Sequence, residues 1–247
     1  MEINASSLEQ VEDIMYYAKL SDQTERYGET IMLVHKLVDK IKETGMRELT
    51  HEERNLLSAG YKNSVNSKRS AWRMLQSLEK KQDSQCERKK ELLSAYKAGV
   101  QKELQDVCFD ALNLIQNTVL PVTQRRDDQV SYNKMCGDYY RYIAEVSVGE
   151  MREKAVSDAL SVYQRAVAIS EASMDTTHPT RLGLSLNFSV FYYEIMNDED
   201  KACEIARTAF EGAIDKLETI EEESYRDSTL IMQLLRDNLT LWTSEAK

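Results

Sequence analysis

The sequence predicts an all-α protein, and three observations support that fold class. Its 247 residues include only two prolines and eight glycines, whereas strands joined by tight turns need many more of both. Charged residues make up 30% of the chain and occur in both signs throughout, as they do on solvated helix faces. Apolar residues recur at steps of three and four along almost the whole chain, which is the period of an α-helix.

Local signals mark the ends of the first three helices. The capping-box pattern Ser7-x-x-Gln10 precedes the first helix, and Gly45 stands near the C-cap of the second, where glycine is favoured. A second capping box, Thr50-x-x-Glu53, begins the third helix. Apolar spacing continues from there to about residue 81, so this helix is expected to be long.

The remainder of the chain is predicted to form six more helices. Pro121 ends the fourth, because proline cannot continue the backbone hydrogen bonding. Asp127 and Asp128 suit the first turn of the fifth, where carboxylates are favourable. Short polar connections, with no glycine- and serine-rich linker, indicate one continuous domain over residues 1–247. The expected limits of these six helices are about 87–119, 127–149, 151–173, 179–195, 199–217 and 222–244.

Charge and cysteine usage exclude several classes of partner. The net charge of −10 disfavours nucleic acid and anionic membranes, which both attract basic proteins. Four cysteines stand far apart with no metal-binding spacing, which argues against zinc. No signal peptide is expected at the acidic start, and the longest uncharged run, Ala111 to Gln124, is too short to span a bilayer. We therefore expect a cytoplasmic protein, with the nucleus left open as a second location.

No arrangement of catalytic residues is found in the sequence. None of the three histidines, His35, His51 and His178, belongs to a pattern such as H-E-x-x-H, and the chain has no phosphate-binding glycine loop. Acidic runs such as Glu221 to Glu223 are typical of solvated helix faces. We expect no enzyme activity, no metal and no cofactor.

Cations in two helices suggest an anion-binding site. Lys62, Arg69 and Arg73 fall at i, i+7 and i+11, on one face of the third helix. On spacing alone, a solvated basic stripe explains this pattern better than a binding site does. Arg141 and Tyr142, however, lie among aromatic residues in a helix patterned for burial, where a cation needs a counter-charge or an anionic ligand. A guanidinium beside a phenol suits a phosphate.

Two late helices are too apolar for a single buried stripe. In the helix predicted at 179–195, Leu186 and Val190 are four apart, and Asn187, Val190 and Glu194 fall at i, i+3 and i+7. In the last helix Leu230, Leu234, Asn238 and Trp242 form a ladder with a spacing of four. A side-chain amide within an apolar ladder needs hydrogen-bond partners. The ladder is therefore either a helix core with one satisfied polar group or the wall of a groove in which the amide bonds an extended peptide.

Four stretches go beyond what helical patterning requires: RNLLSAGYKNS (54–64), GDYYRYIAEV (137–146), RLGLSLNFSVFYYEI (181–195) and YRDSTLIMQLLRDNLTLW (225–242). Together they resemble the signature segments of the 14-3-3 proteins, over about residues 8–244. The resemblance implies nine antiparallel helices forming a cup-shaped protomer with an amphipathic groove. About residues 1–120 would supply the dimer contacts and the groove floor, and about 121–247 the groove wall.

The resemblance also implies a function and the residues that perform it. The groove would bind phosphoserine or phosphothreonine segments of client proteins, and the chain would form a homodimer; a phosphate-independent helical scaffold is the alternative. The residues implied to hold the phosphate are Lys62, Arg69, Arg141 and Tyr142, with Asp138 and Glu194 as counter-charges. Those implied to line the groove are Lys134, Leu186, Asn187, Val190, Leu230, Leu234, Asn238 and Trp242. Those implied at the dimer interface are Asp13, Leu20, Arg26, Leu75, Leu78, Arg88, Tyr96 and Glu103.

The chain departs from the family pattern at the implied interface. Ala71 replaces a residue that is often a regulatory serine, so control of the dimer by phosphorylation there is not expected. Gly99 replaces a lysine that would face Glu29, and a glycine within a helix costs about 1 kcal/mol. The segment after Val38 is longer than usual, which alters the connection between the second and third helices. Cross-dimer pairs remain plausible for Arg26 with Glu103 and for Asp13 with Arg88.

Overall fold

The computed structural model describes residues 8–81, 87–219 and 222–245. Within those ranges the backbone forms nine α-helices and no β-strand, which confirms the all-α prediction. The chain divides into two compact units, one ending at Thr123 and the other beginning at Gln124. The expectation of one continuous domain stays a prediction. Ser7 of the first capping box, and Cys86, lie outside the described residues.

The first unit consists of four helices and two short turns. The helices are α1 Val11–Gln23, α2 Tyr27–Thr44, α3 His51–Lys81 and α4 Glu87–Leu114. Successive helices pack on one another, and α1 also contacts α3. Their apolar faces meet in a core that includes the fully buried Leu37, Leu57 and Leu104. After α4, a π-helical turn, Ile115–Val119, and a 3₁₀ turn, Leu120–Val122, carry the chain past Pro121.

The capping box predicted at Thr50 and Glu53 is confirmed at the start of α3. The backbone N–H of Thr50 donates to Glu53 Oε2 at 2.7 Å, and the N–H of Glu53 donates to Thr50 Oγ1 at 3.3 Å. Arg47 donates two further hydrogen bonds to the same carboxylate, at 2.8 and 2.7 Å. Burial alone would raise the pKa of Glu53, but the bonds from Arg47 and Thr50 lower it.

The C-cap predicted for α2 is also confirmed. Gly45 follows Thr44 with a φ of 112°, a backbone region that glycine adopts without the steric cost that other residues bear. The glycine therefore ends α2 and turns the chain toward the capping box of α3.

The second unit holds the other five helices. These are α5 Arg126–Val146, α6 Gly149–Ser173, α7 Pro179–Phe191, α8 Glu199–Ile214 and α9 Glu222–Glu245. The most extensive packing is between α5 and α6, while α7 contacts α5, α6, α8 and α9. A core formed mainly by α7, α8 and α9 includes Leu182, Ala206, Leu235 and Trp242. As predicted, Asp127 and Asp128 lie in the first turn of α5.

Several predicted helix limits are corrected. Gly149 begins α6 instead of ending α5, which stops at Val146, and its φ of 58° lets the chain turn there. The seventh helix ends in a π-helical turn, Tyr192–Met196, and α8 stops at Ile214, followed by a 3₁₀ turn at Leu217–Thr219. At the end of α7 the helical hydrogen bonding changes period, which side-chain spacing does not report.

Candidate functional site

Arg141 lies on α5 at a position that the second unit buries, with only 6% of the residue exposed. Its guanidinium NH2 lies 3.3 Å from Asp138 Oδ1 and donates to the hydroxyl of Tyr142 at 3.3 Å. Its NH1 lies 3.8 Å from Glu194 Oε2. The Tyr142 ring stacks on the guanidinium, with 4.6 Å between Cζ and the ring centroid. These contacts hold the planar guanidinium in one orientation.

Asp138, one turn before Arg141 on the same face of α5, joins three helices. Its carboxylate accepts hydrogen bonds from Lys134 Nζ at 3.0 Å and from the hydroxyl of Tyr163, on α6, at 2.6 Å. Asn187, on α7, donates its side-chain nitrogen to both carboxylate oxygens, at 2.9 and 2.8 Å. The structure thus brings together six residues of this unit that the family resemblance implies at the site: Lys134, Asp138, Arg141, Tyr142, Asn187 and Glu194.

The protonation states of this cluster are set by mutual attraction. Burial alone would raise the pKa of Asp138, but the charges of Lys134 and Arg141 and the hydrogen bond from Tyr163 hold it below its usual range. Burial alone would lower the pKa of Arg141, yet Tyr163 and Asp138 keep it well above its usual value. Burial beside Asp138 raises the pKa of Tyr163. At neutral pH the buried part of the cluster therefore contains a guanidinium, a carboxylate and a neutral phenol.

This arrangement can bind an anion without being unstable when empty. Asp138 offsets the charge of Arg141, so the guanidinium is tolerated inside the unit. Tyr142 is only half-buried, and Glu194 is exposed, so the cluster reaches the surface at that edge. A fixed guanidinium and a phenol offer directional donors to an oxyanion.

Lys62 and Arg69 lie on α3 of the first unit, seven residues apart and therefore on one face of the helix. Lys62 is exposed and Arg69 is half-buried. The neighbouring Tyr61 is fully buried, and its hydroxyl donates to Asp110, on α4, at 2.5 Å. His35 Nε2, on α2, lies 2.8 Å from the same carboxylate oxygen. This anchored tyrosine fixes the helix segment from which Lys62 projects.

The residues expected to form an apolar wall differ in exposure. Leu230 and Leu234, on α9, are 60% and 44% exposed. Leu186 and Val190, on α7, are half-buried against the core of the second unit. Trp242 is only 3% exposed, so it packs within that core.

The far end of the α9 ladder is part of the packing between α7 and α9. Trp242 stacks on Tyr193, with 4.7 Å between ring centroids and an interplanar angle of 14°. Asn238, one step earlier in the ladder, is half-buried. The ladder therefore runs from exposed leucines, through a half-buried amide, to a buried indole.

Tyr163 was not singled out in the sequence, although it holds Asp138. It is fully buried, and its ring stacks on Phe188 at 5.2 Å between centroids. A buried tyrosine requires a hydrogen-bond partner for its hydroxyl. That requirement is the signal that could have drawn attention to it, but it does not identify the partner.

The implied interface residues of the first unit are mostly exposed. Leu20, Leu78 and Tyr96 are 39%, 48% and 67% exposed. Three of the four charged ones form ion pairs within the chain: Arg26 with Glu29, Arg88 with Glu91 at 3.1 Å, and Glu103 with Lys68 at 3.1 Å. Asp13 is exposed, and Leu75 is half-buried. Exposed pairs of this kind contribute little to stability, so they could exchange partners, and the cross-dimer pairs stay predictions.

The cysteines that the structure describes are buried free thiols, as expected for small apolar side chains. Burial raises the pKa of Cys108 and of Cys136 to about 12. Among the described residues, no helix has the length and apolarity needed to cross a membrane. In the same ranges, no group of three or more histidine, cysteine or acidic side chains is placed to hold a metal ion.

Comparison with known proteins identifies the family. The family model described as 14-3-3 protein matches residues 17–243. The chain is 50% identical to 14-3-3 protein zeta of Bombyx mori over 96% of this chain and 93% of the relative. It is 50% identical to 14-3-3 protein 10 of Solanum lycopersicum, with the same coverage of both chains. The match to 14-3-3-like protein 2 of Caenorhabditis elegans is 49%, over 95% of this chain and 92% of the relative. This chain therefore belongs to the 14-3-3 family, whose members are phosphopeptide-binding adaptors rather than enzymes.

Proposed function

We propose that this chain, as a non-enzymatic adaptor, binds client segments that carry phosphoserine or phosphothreonine. The observation that carries the proposal is the buried guanidinium of Arg141, held in one orientation beside the half-exposed phenol of Tyr142. Lys62 and Arg69 are proposed as further phosphate ligands, because they occupy the positions to which the family resemblance assigns that role.

The proposed ligands account for discrimination between a phosphorylated and an unphosphorylated client. A phosphoserine carries a charge of about −1.5 to −2 and three strong acceptor oxygens. Each charge-assisted bond to it contributes roughly 1.5–3 kcal/mol. Three cations therefore supply most of the ~8 kcal/mol of a micromolar complex, whereas an unmodified serine offers no charge to them.

We propose that the client backbone is read by side-chain amides. The Asn187 nitrogen is bonded to Asp138, which fixes the amide plane and directs the carbonyl oxygen away from that carboxylate. Asn238 is half-buried beside the exposed Leu234, a setting in which an amide can bond an extended peptide while a leucine contacts its side chains. Lys134 and Glu194 would complete the polar edge of the groove, and Leu186, Val190 and Leu230 its apolar lining.

A homodimer is proposed as the working assembly. The exposed Leu20, Leu78 and Tyr96 of the first unit are side chains that a second subunit would cover. Two binding sites in one assembly would raise the affinity for doubly phosphorylated clients through avidity. Sedimentation at low micromolar concentration tests this, and a monomer there would contradict it.

A cytoplasmic location is also proposed, with the nucleus as a second compartment, and it is supported by the acidic composition and by the free thiols of the described cysteines. Microscopy of the fluorescently tagged chain checks it. A tagged chain retained in the secretory pathway would contradict the proposal.

Fluorescence polarisation with a matched pair of peptides tests the binding function. Both contain an Arg-x-x-Ser-x-Pro core, and only one is phosphorylated at the serine. We expect the phosphorylated peptide to bind at least about 100-fold more tightly, since losing two of the charge-assisted bonds costs roughly 3 kcal/mol or more. A scrambled phosphopeptide controls for non-specific charge attraction. Equal affinity for the matched pair would favour the phosphate-independent scaffold instead.

A further inference from the structure

α6, α7 and α8 of the second unit enclose a cleft of ≈ 310 Å³ that the proposed phosphate site does not use. Its apolar lining includes Val167 of α6, Leu182 and Phe188 of α7, and Ile205 of α8. Clefts of about 300 Å³ or more, lined by apolar side chains with a few polar groups, are typical of small-molecule sites.

Three of the hydroxyl groups that line the cleft are already engaged by the backbone. The bonds are from Ser170 to the Val167 carbonyl at 2.9 Å, from Ser185 to the Arg181 carbonyl at 3.2 Å, and from Thr176 to the Gly212 carbonyl at 2.7 Å. Each of these three hydroxyl groups thus donates its hydrogen to the protein itself. Their oxygen atoms can still accept a hydrogen bond, so the three groups suit a ligand that donates, such as an ammonium, better than one that depends on hydroxyl donors.

Acidic side chains give the mouth of the cleft its charge. Glu171 on α6 and Glu204 on α8 line it and are exposed. The lining also contains a cation, Arg181, whose NH1 donates to the Met174 carbonyl at 2.8 Å. Two carboxylates against one guanidinium leave the lining with a net negative charge. Glu204 also pairs with Lys201 at 2.8 Å, an exposed pair that contributes little and that a ligand can displace.

We propose that this cleft binds an apolar organic cation, that is, an ammonium group attached to an aromatic or alkyl body. The body would pack on Phe188 and Leu182, and the ammonium would lie between the carboxylates of Glu171 and Glu204. The apolar lining and the two carboxylates together select this class of ligand. An anion of the same shape would be repelled by the carboxylates, and a fully polar cation would not pack against the apolar side chains of the lining.

The cleft and the phosphate cluster use different faces of α7. Leu182, Ser185 and Phe188 line the cleft, whereas Asn187 contacts Asp138. The residues of the cleft are thus separate from those proposed to bind phosphate. The proposal consequently does not depend on phosphopeptide binding, and the two can fail independently.

The full-length chain is titrated with 2-phenylethylammonium, and binding is followed by ligand-observed NMR. The matched probe is 3-phenylpropionate, which has a similar body and the opposite charge. We expect saturable binding of the cation and binding of the anion that is at least about tenfold weaker, as expected when two attractive ion contacts become repulsive. No saturation by the cation, or equal binding of both probes, would overturn the proposal.

Charge variants test whether the cation binds in the cleft or is attracted by the net charge of the protein. Combining Glu171→Gln with Glu204→Gln should weaken binding of the cation about three- to tenfold, because each exposed ion contact is worth up to about fivefold. Combining Glu153→Gln with Glu211→Gln changes the net charge equally on the same two helices but outside the cleft, and should leave affinity within about twofold. An equal loss in both double variants would mean that only the overall charge is sensed, which contradicts the proposal.

Filling the cleft provides the last test. Ala209→Phe adds a ring to the lining and should abolish binding of the cation, with the helical circular dichroism as the check that the variant is folded. Thr208→Arg, at the exposed mouth, leaves the core unchanged and places a positive charge where the ammonium would lie. It should weaken binding at least as much as the double glutamine variant. Binding of the cation that survives Thr208→Arg unchanged would overturn the proposal.

Discussion

The backbone of α5 at Gly137 rests directly on the ring of Tyr163. A Cβ atom added to Gly137 would lie 2.6 Å from Tyr163 Cε1, which is closer than real Cβ contacts come. The ring is fully buried and stacks on Phe188, so it has no room to retreat. The same tyrosine donates its hydroxyl to Asp138 at 2.6 Å. Glycine at this position therefore sets the approach of α5 to α6 and with it the position of the carboxylate that holds Arg141.

Gly137→Ala should destabilise the protein. The added methyl group overpacks the contact, which costs about 1–3 kcal/mol in the free energy of unfolding, more than alanine gains in a helix. Urea denaturation measures the loss. Gly183→Ala on α7 is the matched control, because the nearest atom outside the backbone of that helix, Ile231 Cδ1, is 3.8 Å from the added Cβ. Equal stability of the two variants would show that α5 is not held against the tyrosine ring.

Tyr163→Phe separates the hydrogen bond from the packing. It keeps the ring against Phe188 and removes only the hydroxyl that bonds Asp138, so we expect a loss of about 1–3 kcal/mol. Phosphopeptide binding should also weaken, because Asp138 and Arg141 lose a shared support. Tyr225→Phe removes the same atom at a 48% exposed position and should change stability by less than about 0.5 kcal/mol. Equal effects of the two variants would argue against a structural role for the Tyr163 hydroxyl.

Asp138→Asn should change how stability depends on pH. The pKa of Asp138 is lowered by folding, so the unfolded chain takes up the proton first as the pH falls. The contribution of Asp138 is complete above its unfolded pKa of about 3.9 and is lost as the pH falls through the folded value. At pH 7 the variant should be about 3–5 kcal/mol less stable, because Arg141 loses a buried partner.

Urea denaturation of both proteins between pH 7 and pH 3 checks this prediction. The difference in stability should be constant at neutral pH and shrink below about pH 4, since the substituted amide cannot titrate. Glu53, whose pKa is also lowered by folding, titrates in both proteins and cancels in the comparison. Parallel curves down to pH 3 would mean that Asp138 is not the titrating group.

The α9 ladder shows where prediction from sequence stops. Four residues turn an α-helix by about 400°, so each step of the ladder advances about 40° around the helix, and three steps advance about 120°. Leu230 is accordingly 60% exposed, while Trp242 is 3% exposed. The spacing correctly predicted the helix, but which end of the ladder is covered depends on the position of α7.

The cluster around Asp138 likewise combines a contact that the sequence indicates with contacts that only the fold creates. Asp138 lies three residues before Arg141, so a counter-charge at helical spacing could be expected from the sequence. Its contacts with Tyr163 and Asn187 join residues 25 and 49 positions apart in the chain. Only tertiary packing brings those side chains together, and no spacing rule indicates it. Family resemblance supplied Asn187 as a groove residue, but not its bond to Asp138.

Lys62→Glu should abolish phosphopeptide binding without unfolding the protein. The change replaces an attractive contact with a repulsive one, and we expect affinity to fall at least about 100-fold. Because Lys62 is exposed, the helical circular dichroism should be unchanged. Lys80→Glu makes the same charge change at an exposed site on the same helix and should leave affinity within about twofold. Retained binding by Lys62→Glu would remove this lysine from the proposed phosphate site.

Gly99 lies inside α4, and apart from the backbone of that helix no atom of the described residues stands within 4 Å of the position that a Cβ would occupy there. Gly99→Ala should therefore raise the free energy of unfolding by about 0.5–1 kcal/mol, through helix propensity alone. Gly99→Lys should gain nearly as much, and it also restores the residue that the family resemblance places opposite Glu29 of a second subunit.

Comparison of the two Gly99 variants tests the proposed dimer interface. In this chain Glu29 pairs with Arg26 of its own subunit, an exposed contact that can be exchanged. If Glu29 faces α4 across the interface, sedimentation equilibrium should show the lysine variant dissociating at a lower concentration than the alanine variant, by up to about fivefold for one exposed ion pair. Identical dissociation of the two variants would place Glu29 away from position 99 of the second subunit, and the stability gain that they share would then be explained by the backbone of α4 alone.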